Sequence, residues 1–491
     1  MTEFRADFLA KRYASERRFK FYGVAALVLT ALFLAFLLID IASKGYPAFF
    51  EHRAILEVTV DPAKVDAAKP MAGDFDTLVK DALRARFPQV TARAARKKLL
   101  GLLSVGAADD FRALVVSDPD SIGQTVRVPA LLSDDADLYL KGQATGIDIT
   151  AGNSTLQIAQ TGETYVITGG TTGIVPGRII RANGGALRVT GVEGNTLLAD
   201  AVIAPETLNT AVAGEWTVIT TSVPESERRI DDRQMLWLES LRESGAIEKG
   251  FAWRFFTSGD SREAELAGLR GALVGSLLTV AVALLLALPL GIAAAIYLEQ
   301  FAPKNKLTDL IEVNINNLAA VPSIIFGLLG LAVFLNYFGM PRSAPLVGGL
   351  VLALLVLPTI IIASRAALKA VPPSITEAAL GVGASQQQAV FQHVLPLALP
   401  GIMTGTILGL ARAFGETAPL LMIGMVAFIA DVPSGFQDAA TVLPVQIFLW
   451  SDLPEIAFQS KTAAAILVLM VVLFGLNGIA IYLRKRFERR W

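Results

Sequence analysis

The sequence predicts an all-α polytopic membrane protein with six transmembrane helices and an α+β domain inserted between helices 1 and 2. Of its 491 residues, 53% are hydrophobic and 18% are charged, whereas about 25% of the residues of an average soluble protein are charged. Long uncharged stretches recur along the chain, and each can cross a hydrocarbon core of roughly 30 Å as a helix. The region 43–267 instead carries charges throughout and is rich in turn residues.

Composition also excludes several classes of function. The sequence contains no cysteine, which excludes disulfides, thiolate nucleophiles and iron–sulfur clusters. Its two histidines, His52 and His393, are far apart in sequence, so neither a histidine metal site nor a Ser-His-Asp triad is expected. The formal net charge of -1 provides no basic field for nucleic acid. We therefore expect no metal, no cofactor and no nucleic-acid partner.

The first transmembrane helix is predicted at 21–41, behind a basic cytoplasmic N-terminus at 1–20. Nineteen uncharged residues separate Lys20 from Asp40, which exceeds the apolar core of a cleavable signal peptide, about 7–15 residues. Five further spans are predicted where charges are sparse. They lie between Arg270 and Glu299, between Glu312 and Arg342, between Arg342 and Arg365, in the apolar segment 397–429, and between Lys461 and Arg484.

The flanking charges place both termini in the cytoplasm, because cytoplasmic flanks are enriched in lysine and arginine. An even number of spans satisfies this placement, so we expect six spans and an exported insert at 43–267. The basic residues are Arg5, Lys11, Arg12, Arg17, Arg18 and Lys20 before the first span, and Arg484, Lys485, Arg486, Arg489 and Arg490 after the last one.

The insert is predicted to combine helices with a small β module. Residues 74–104 space their leucines as a helix does, and 226–250 are also typical of a helix. Between them, the region 142–221 consists of short β-branched runs separated by turn signals such as Gly169-Gly170. We therefore expect an α+β domain.

The cytoplasmic loop between the fourth and fifth spans, 373–396, carries two capping-box patterns. They predict two short helices joined by a glycine turn. This arrangement is typical both of a protruding docking element and of a loop that simply folds well. The residues concerned are Ser374 with Glu377, Ser385 with Gln388, the turn residues Gly381 and Gly383, and Pro396, where the second helix is expected to end.

The sequence of this loop resembles the EAA loop of ABC importer permeases. Glu377-Ala378-Ala379 is followed by Gly383 and then by His393-Val394-Leu395-Pro396 at the spacing of that motif, with His393 where isoleucine is usual. The resemblance implies that the loop docks into a cytoplasmic ATPase. The residues implied in docking are Glu377, Ala378, Ala379, Gly383, Leu395 and Pro396.

Three further segments, 314–323, 358–361 and 412–421, resemble the PstA-type permeases of phosphate ABC transporters. The run Ala418-Pro419-Leu420-Leu421 favours the PstA type over the sister PstC type. The resemblance implies an ABC importer permease domain at 269–486 with five transmembrane helices, in the bacterial cytoplasmic (inner) membrane. The insert resembles the extra domain of a PstA subgroup. The implied partners are a PstC-like second permease, a PstB-like cytoplasmic ATPase, an exported phosphate-binding protein and membrane lipid.

The chain itself is not expected to be an enzyme. It contains no Gly-x-x-x-x-Gly-Lys-[Ser/Thr] segment to cradle the phosphates of ATP, and no His-Glu-x-x-His segment for a zinc protease. We therefore expect ATP hydrolysis in a separate ATPase subunit.

The fifth span indicates a substrate pathway. Gly401, Gly405 and Gly409 recur at every fourth residue, and such a stripe of small residues lets another helix approach closely. On a helical wheel, Arg412 and Glu416 fall with the glycines in an arc of about 80°, so we expect all five at a seam between subunits. Arg412 is expected to bind an oxyanion in transit, and Glu416 to pair with it when the site is empty. A purely structural i,i+4 ion pair is the alternative.

These observations favour a transmembrane permease subunit of an ATP-driven inorganic phosphate importer that forms the translocation pathway with a second permease. Two alternatives stay open. One is a permease for another oxyanion, such as phosphonate or sulfate. The other is a membrane-anchored sensor or scaffold that uses the exported domain, which would explain the insert but neither the EAA-like loop nor the charged pair of the fifth span.

Overall fold

The structure is a computed structural model that describes residues 2–143, 146–170 and 172–487. Arg489 and Arg490 of the basic C-terminal flank lie outside the described residues, as do the side chains of Arg5 and Lys11. The chain forms two compact units, a membrane unit and an insert unit, and the insert unit lies inside the predicted bounds of 43 and 267. The membrane unit comprises Met1–Phe49, Trp253–Arg262 and Leu266–Trp491, and the insert unit comprises Phe50–Ala252 and Glu263–Glu265.

Helix α1 (Thr2–Gly45) contains the first predicted span. Its apolar residues from 21 to 37 are exposed all around the helix within the membrane unit, which is typical of a helix surrounded by lipid. The helix ends at Gly45, where another helix of the membrane unit passes very close. A Cβ atom on Gly45 would lie 2.7 Å from the Ala464 nitrogen, so this contact requires glycine.

The insert unit combines strands and helices, as predicted. Its strands are β1 (Phe50–Thr59), β2 (Thr125–Leu131), β3 (Ile147–Ala151), β4 (Gln157–Thr161), β5 (Thr164–Thr168), β6 (Ile179–Ala182), β7 (Gly185–Glu193), β8 (Thr196–Ile203), β9 (Thr217–Thr221) and β10 (Ile247–Phe251). Its helices are α2 (Phe75–Arg86), α3 (Arg93–Leu100), α4 (Asp109–Ser117), α5 (Asp134–Leu140) and α6 (Asp232–Glu243).

These strands form two antiparallel sheets, ordered β10-β1-β2 and β3-β9-β6-β7-β8-β5-β4. The second sheet occupies the predicted β region, 142–221. The predicted helix at 226–250 is correct for α6 and wrong for β10, which pairs with β1 in the register Phe50 to Phe251. That pairing joins strands about two hundred residues apart in sequence, so no local periodicity indicates it.

A buried ionic network joins α6 to the second sheet. Asp232, which is 1% exposed, accepts a hydrogen bond from Arg188 Nε of β7 at 2.7 Å. Arg228 forms an ion pair with the same carboxylate, and its side chain is 5% exposed. Glu225 pairs with Arg188 from the other side. The buried charge of Arg228 therefore depends on Asp232 for its compensation.

Replacing Asp232 with alanine should destabilise the insert unit by about 3–5 kcal/mol, because the change leaves a buried guanidinium unpaired. Amide hydrogen exchange of β7 and α6 in the full-length chain measures this loss. The control is Asp200→Ala on β8, an exposed carboxylate whose removal should change stability by less than about 0.5 kcal/mol. Equal exchange protection in the two variants would contradict a dependence of the network on Asp232.

The rest of the membrane unit is helical. π-helical turns extend α8 to Phe301 and α10 to Tyr337, and another joins α13 to α14. The helices are α7 (Arg254–Thr257), α8 (Arg270–Ile296), α9 (Lys306–Ala319), α10 (Ser323–Gly330), α11 (Pro345–Lys369), α12 (Pro373–Gly381), α13 (Gln386–Ala389), α14 (Leu395–Gly415), α15 (Ala418–Met422), α16 (Leu443–Ser451) and α17 (Ile456–Phe487).

Among the described residues, five continuous helices are long and apolar enough to cross a membrane. The third predicted span, 312–342, is not one straight helix, because α9 and α10 meet at an angle of 99°. Pro322 stands immediately before α10, and its missing N–H group favours a break between the two helices at this point. The total is six if this bent pair counts as one span. The five continuous spans are Arg12–Phe49, Arg270–Phe301, Pro345–Lys369, Gln386–Gly415 and Ile456–Arg486.

Helix α11 lies at the centre of the membrane unit and packs against α8 and α14. Small residues allow the approach to α8, since a Cβ on Gly349 would lie 2.4 Å from Val282 Cβ and one on Gly291 would lie 2.7 Å from Ile360 Cγ2. Without a hydrophobic driving force between helices in lipid, such close packing is a main source of helix association. The position of α11 therefore sets the positions of both neighbours.

Candidate functional site

The loop 373–396 contains two short helices joined by a glycine turn, as predicted. The capping box of α13 is complete: Ser385 Oγ accepts a hydrogen bond from the Gln388 nitrogen at 3.3 Å, and Gln388 Oε1 accepts one from the Ser385 nitrogen at 2.9 Å. The preceding turn places Gly383 at a φ of 92°, a left-handed conformation that favours glycine. The prediction for this half of the loop is confirmed.

Two details of the predicted loop are wrong. Helix α12 starts at Pro373, directly after Pro372, and Ser374 lies inside its first turn without capping it. The second helix does not end near Pro396 but continues through the π turn Val390–Val394 into α14. Pro396 has no N–H group to donate to the carbonyl four residues earlier. The π turn is wider than an α-helical turn and accommodates this missing hydrogen bond, so the helix stays continuous.

The outer surface of the loop is partly apolar. Val382 is 87% exposed and Leu380 is 45% exposed, although neither is needed to cover a core. The inner surface is buried against the end of α8 through Val390 and Val394. Exposed apolar side chains on a well-supported turn indicate a surface for contact with another protein. Of the residues implied in docking, Glu377, Ala378 and Gly383 are exposed, Ala379 is buried, and Leu395 and Pro396 are half-buried.

An ionic cluster lies where the loop meets the helix ends. Arg365 of α11, with a side chain only 13% exposed, contacts Glu299 at 3.4 Å and Glu312 of α9 at 2.5 Å. Lys369 also lies 3.6 Å from Glu299. The three helix segments are therefore held together by compensated charges. In the sequence Glu299, Glu312 and Arg365 marked limits of uncharged stretches, and their spacing did not indicate that they meet.

The glycine stripe of α14 lies against α11 of the same chain. A Cβ on Gly405 would lie 2.1 Å from Ala363 Cβ, and one on Gly401 would lie 2.6 Å from Ala367 Cβ. Gly409 is equally close to Val356, at 2.7 Å. The helix that approaches the stripe is therefore α11, rather than a helix of a second subunit.

Arg412 lies beside this contact and not in it. Its side chain is 42% exposed, and its Nε atom lies 3.4 Å from Glu416 Oε1, whose side chain is 18% exposed. In the last turn of α14 the buried residues are Ala413 and Phe414. The guanidinium of Arg412 therefore lies outside the buried face and remains accessible. Glu416 follows Gly415, the last residue of the helix, and has an extended backbone.

The charged pair lies beside the N-terminal half of the neighbouring helix. Gly409, one turn before Arg412, packs against Val356 and Ile360, which are close to the middle of α11 (Pro345–Lys369), and α14 runs antiparallel to α11. Helix α14 therefore ends within the length of α11, and the chain continues through the short helix α15. An open arginine at this depth can bind an anion through a planar set of N–H donors.

Comparison with known proteins identifies the type of chain. The profile of the binding-protein-dependent transport system inner membrane component matches residues 287–490. Phosphate transport system permease protein PstA 1 of Mycobacterium tuberculosis is 30% identical over 256 residues, which cover 52% of this chain and 83% of that protein. This chain belongs to the PstA-type permeases. It is likewise 30% identical to the probable ABC transporter permease protein YqgI of Bacillus subtilis, over 46% of this chain and 81% of that protein.

A match to a sister permease is shorter. Phosphate transport system permease protein PstC of Haemophilus influenzae is 35% identical over 175 residues, which cover 31% of this chain and 55% of that protein. A domain of unknown function (DUF3333) matches residues 6–147, which include most of α1 and the first part of the insert unit. The chain is thus a multi-pass membrane permease, a non-catalytic subunit type, with an additional domain of α and β structure.

Replacing Gly405 with leucine should disrupt the membrane unit, because no space exists for a side chain against α11. Overpacking of this kind costs at least about 1–3 kcal/mol, and the monodisperse fraction in size-exclusion chromatography of the detergent-solubilised chain should fall sharply. Gly475→Leu in α17 is the matched control, since no atom lies within 4 Å of the added Cβ. An undiminished yield for Gly405→Leu would show that α14 can shift away from α11 at little cost.

Proposed function

We propose that this PstA-type permease is one of two membrane subunits of an ATP-driven importer of inorganic phosphate. The proposed partners are a PstC-like permease, a PstB-like ATPase and an exported phosphate-binding protein. The observation that carries the proposal is the half-exposed Arg412 beside the N-terminal half of α11, one turn from Glu416. The similarity of this chain to permeases of phosphate transport systems supports phosphate as the substrate.

The free energy of placing a charge in the membrane supports a substrate-binding role for Arg412. Placing an arginine at the centre of a membrane helix costs at least about 2.5–3.5 kcal/mol, and the contact of 3.4 Å with Glu416 leaves much of the guanidinium open. A tetrahedral oxyanion offers the oxygen pairs that the planar guanidinium fork binds best. We propose that phosphate replaces Glu416 as the partner of Arg412 during transit. The carboxylate then competes for the arginine and prevents the anion from being held too tightly.

The proposed topology has six spans, cytoplasmic termini and an exported insert unit. The bent pair of α9 and α10 counts as the third span. Exposed tyrosines support the limits of these spans, because tyrosine is enriched at both membrane interfaces. Tyr22 lies at the start of the uncharged part of α1, whereas Tyr297, Tyr337 and Tyr482 lie at or near helix ends.

The loop 373–396 is proposed to dock on the ATPase. Its exposed apolar tip at Val382 would enter an apolar cleft, while the ionic cluster of Arg365 holds the loop at the ends of α8, α9 and α11. A phosphonate or sulfate importer would use the same architecture, so the substrate is tested separately. A sensor that uses only the insert unit would not require this tip to be exposed.

The test of Arg412 uses three variants, each purified as the assembled complex in liposomes. Arg412→Lys keeps the charge and loses the planar fork, so phosphate uptake should fall at least tenfold, about 1.4 kcal/mol. Arg412→Ala leaves Glu416 unpaired and should abolish uptake. The double variant Arg412→Ala with Glu416→Gln removes both charges. We expect it to assemble as well as the wild type and to take up no phosphate.

Assembly and phosphate flux are measured side by side, with sulfate and phosphonate as competitors. Full flux in the double variant would contradict a substrate role and indicate a structural ion pair. Inhibition by sulfate or phosphonate equal to that by phosphate would overturn the assignment of the substrate.

Replacing Val382 with aspartate should uncouple ATP hydrolysis from transport. The side chain is 87% exposed, so the fold loses little, but a charge in an apolar cleft costs several kcal/mol. ATPase stimulation by a loaded binding protein should fall at least tenfold while membrane insertion stays normal. The control is Val105→Asp in the insert unit, a valine that is 72% exposed. Normal coupling in Val382→Asp would rule out docking through this tip.

A further inference from the structure

The insert unit has an incomplete sheet edge. Strand β10 pairs with β1 only from Phe50 to Ala54. One more bond follows, from the Ile55 nitrogen to the Ala246 oxygen at 2.7 Å, and the chain then turns away toward α6. On its other side β1 stays paired with β2 as far as Thr59. The last residues of β1 thus have a neighbour on one side only.

Backbone N–H and C=O groups alternate in direction along β1, and this alternation shows which of them face the free side. The Ile55 nitrogen bonds toward β10, whereas the Val60 nitrogen bonds to the Gln124 oxygen on the β2 side at 2.9 Å. Because N–H and C=O groups of successive residues point to opposite sides of a strand, those of Glu57 and Thr59 point toward the free edge. Both residues are exposed. This edge can therefore form main-chain hydrogen bonds with one further strand.

A groove of about 360 Å³ lies along this edge. One wall is the last turn of α2, and the other is the end of α6 with the turn that follows it. Ala82, Ala85 and Ala246 make part of its surface apolar, while Arg86 and Arg127 bring two positive charges against the single carboxylate of Glu57. Within the part of the chain that the structure describes, neither arginine forms an ion pair. The groove thus combines a free strand edge, an apolar floor and a net positive charge.

We infer that this groove binds an extended peptide segment of another protein, in which apolar and acidic side chains alternate. The segment adds to β1 as a strand through the backbone groups of Glu57 and Thr59, a known mode of peptide recognition. Because side chains of a strand alternate between its two faces, one set packs on Ala82 and Ala85 of α2. The opposite set lies on the face that carries Glu57 and, one strand further, Arg127, and its carboxylates extend toward that guanidinium.

A second copy of this chain is the less suitable occupant. Symmetric pairing of two β1 edges would bring four arginines and only two Glu57 carboxylates into one groove, and the excess positive charge would be repulsive. An acidic segment instead compensates both arginines. The inference concerns the insert unit alone and is independent of the transport activity proposed for the membrane unit.

The test uses the full-length chain in nanodiscs and a fluorescein-labelled eight-residue peptide that alternates valine with glutamate. Fluorescence anisotropy should show saturable binding that weakens with salt. Arg127→Glu should lower the affinity at least tenfold and should increase the affinity for a peptide that alternates valine with lysine. The matched control is Arg93→Glu on α3, an exposed arginine outside the groove, which should leave both affinities unchanged.

A second variant tests the strand edge independently of charge. Glu57→Pro removes one free N–H group and should lower the affinity at least tenfold, because proline cannot donate to an added strand. Glu57→Thr keeps the N–H group and should bind the acidic peptide at least as well as the wild type. Circular dichroism of each variant verifies that the insert unit is folded.

Three results would overturn the inference. One is the absence of saturable binding by the wild-type chain. Another is unchanged binding in Arg127→Glu together with Glu57→Pro. The last is self-association that Glu57→Pro abolishes while the peptide does not bind, which would identify a second copy as the occupant.

Discussion

The free energy of placing a charge in hydrocarbon is the constraint on which the membrane unit depends. Most charges within its helical spans have close partners. Arg365 is compensated by Glu299 and Glu312, and Lys461 donates a hydrogen bond to the Ala267 oxygen at 2.6 Å. Arg412 differs, because it has one contact at 3.4 Å and remains 42% exposed. Charges with close partners, such as Arg365, stabilise the fold. The partly exposed Arg412 is instead available to a ligand.

Close backbone contact complements this electrostatic constraint. Helix α11 is approached by α8 and α14 at positions where glycine or alanine leaves room. These contacts fix the position of α14 along α11, so that Arg412 lies beside the N-terminal half of α11. In the insert unit a different principle applies, since water surrounds it and apolar burial drives folding. There, two sheets and their helices enclose apolar cores, and a buried carboxylate, Asp232, compensates two arginines.

Much of this architecture could be predicted because the relevant signals are local. Charge-free stretches locate the helices, and the Ser385 and Gln388 pattern locates a helix start to the residue. Contacts between distant segments could not be predicted in this way. The pairing of β1 with β10 and the ionic cluster at Arg365 join segments far apart in sequence. The helical wheel of α14 placed Arg412 on the face of Gly405, yet the buried face turns along the helix, and only the packing of α11 shows this.

The continuity of the helix from α13 through the π turn into α14 has a mechanical consequence. The segment Gln386–Gly415 is one helix of 30 residues, about 45 Å long at 1.5 Å per residue. It acts as a lever with the loop at one end and Arg412 near the other. A rotation of about 10° around its midpoint would displace each end by about 4 Å, which exceeds the length of a hydrogen bond. A movement that begins at the loop can therefore break or restore a contact with Arg412 without any helix unfolding.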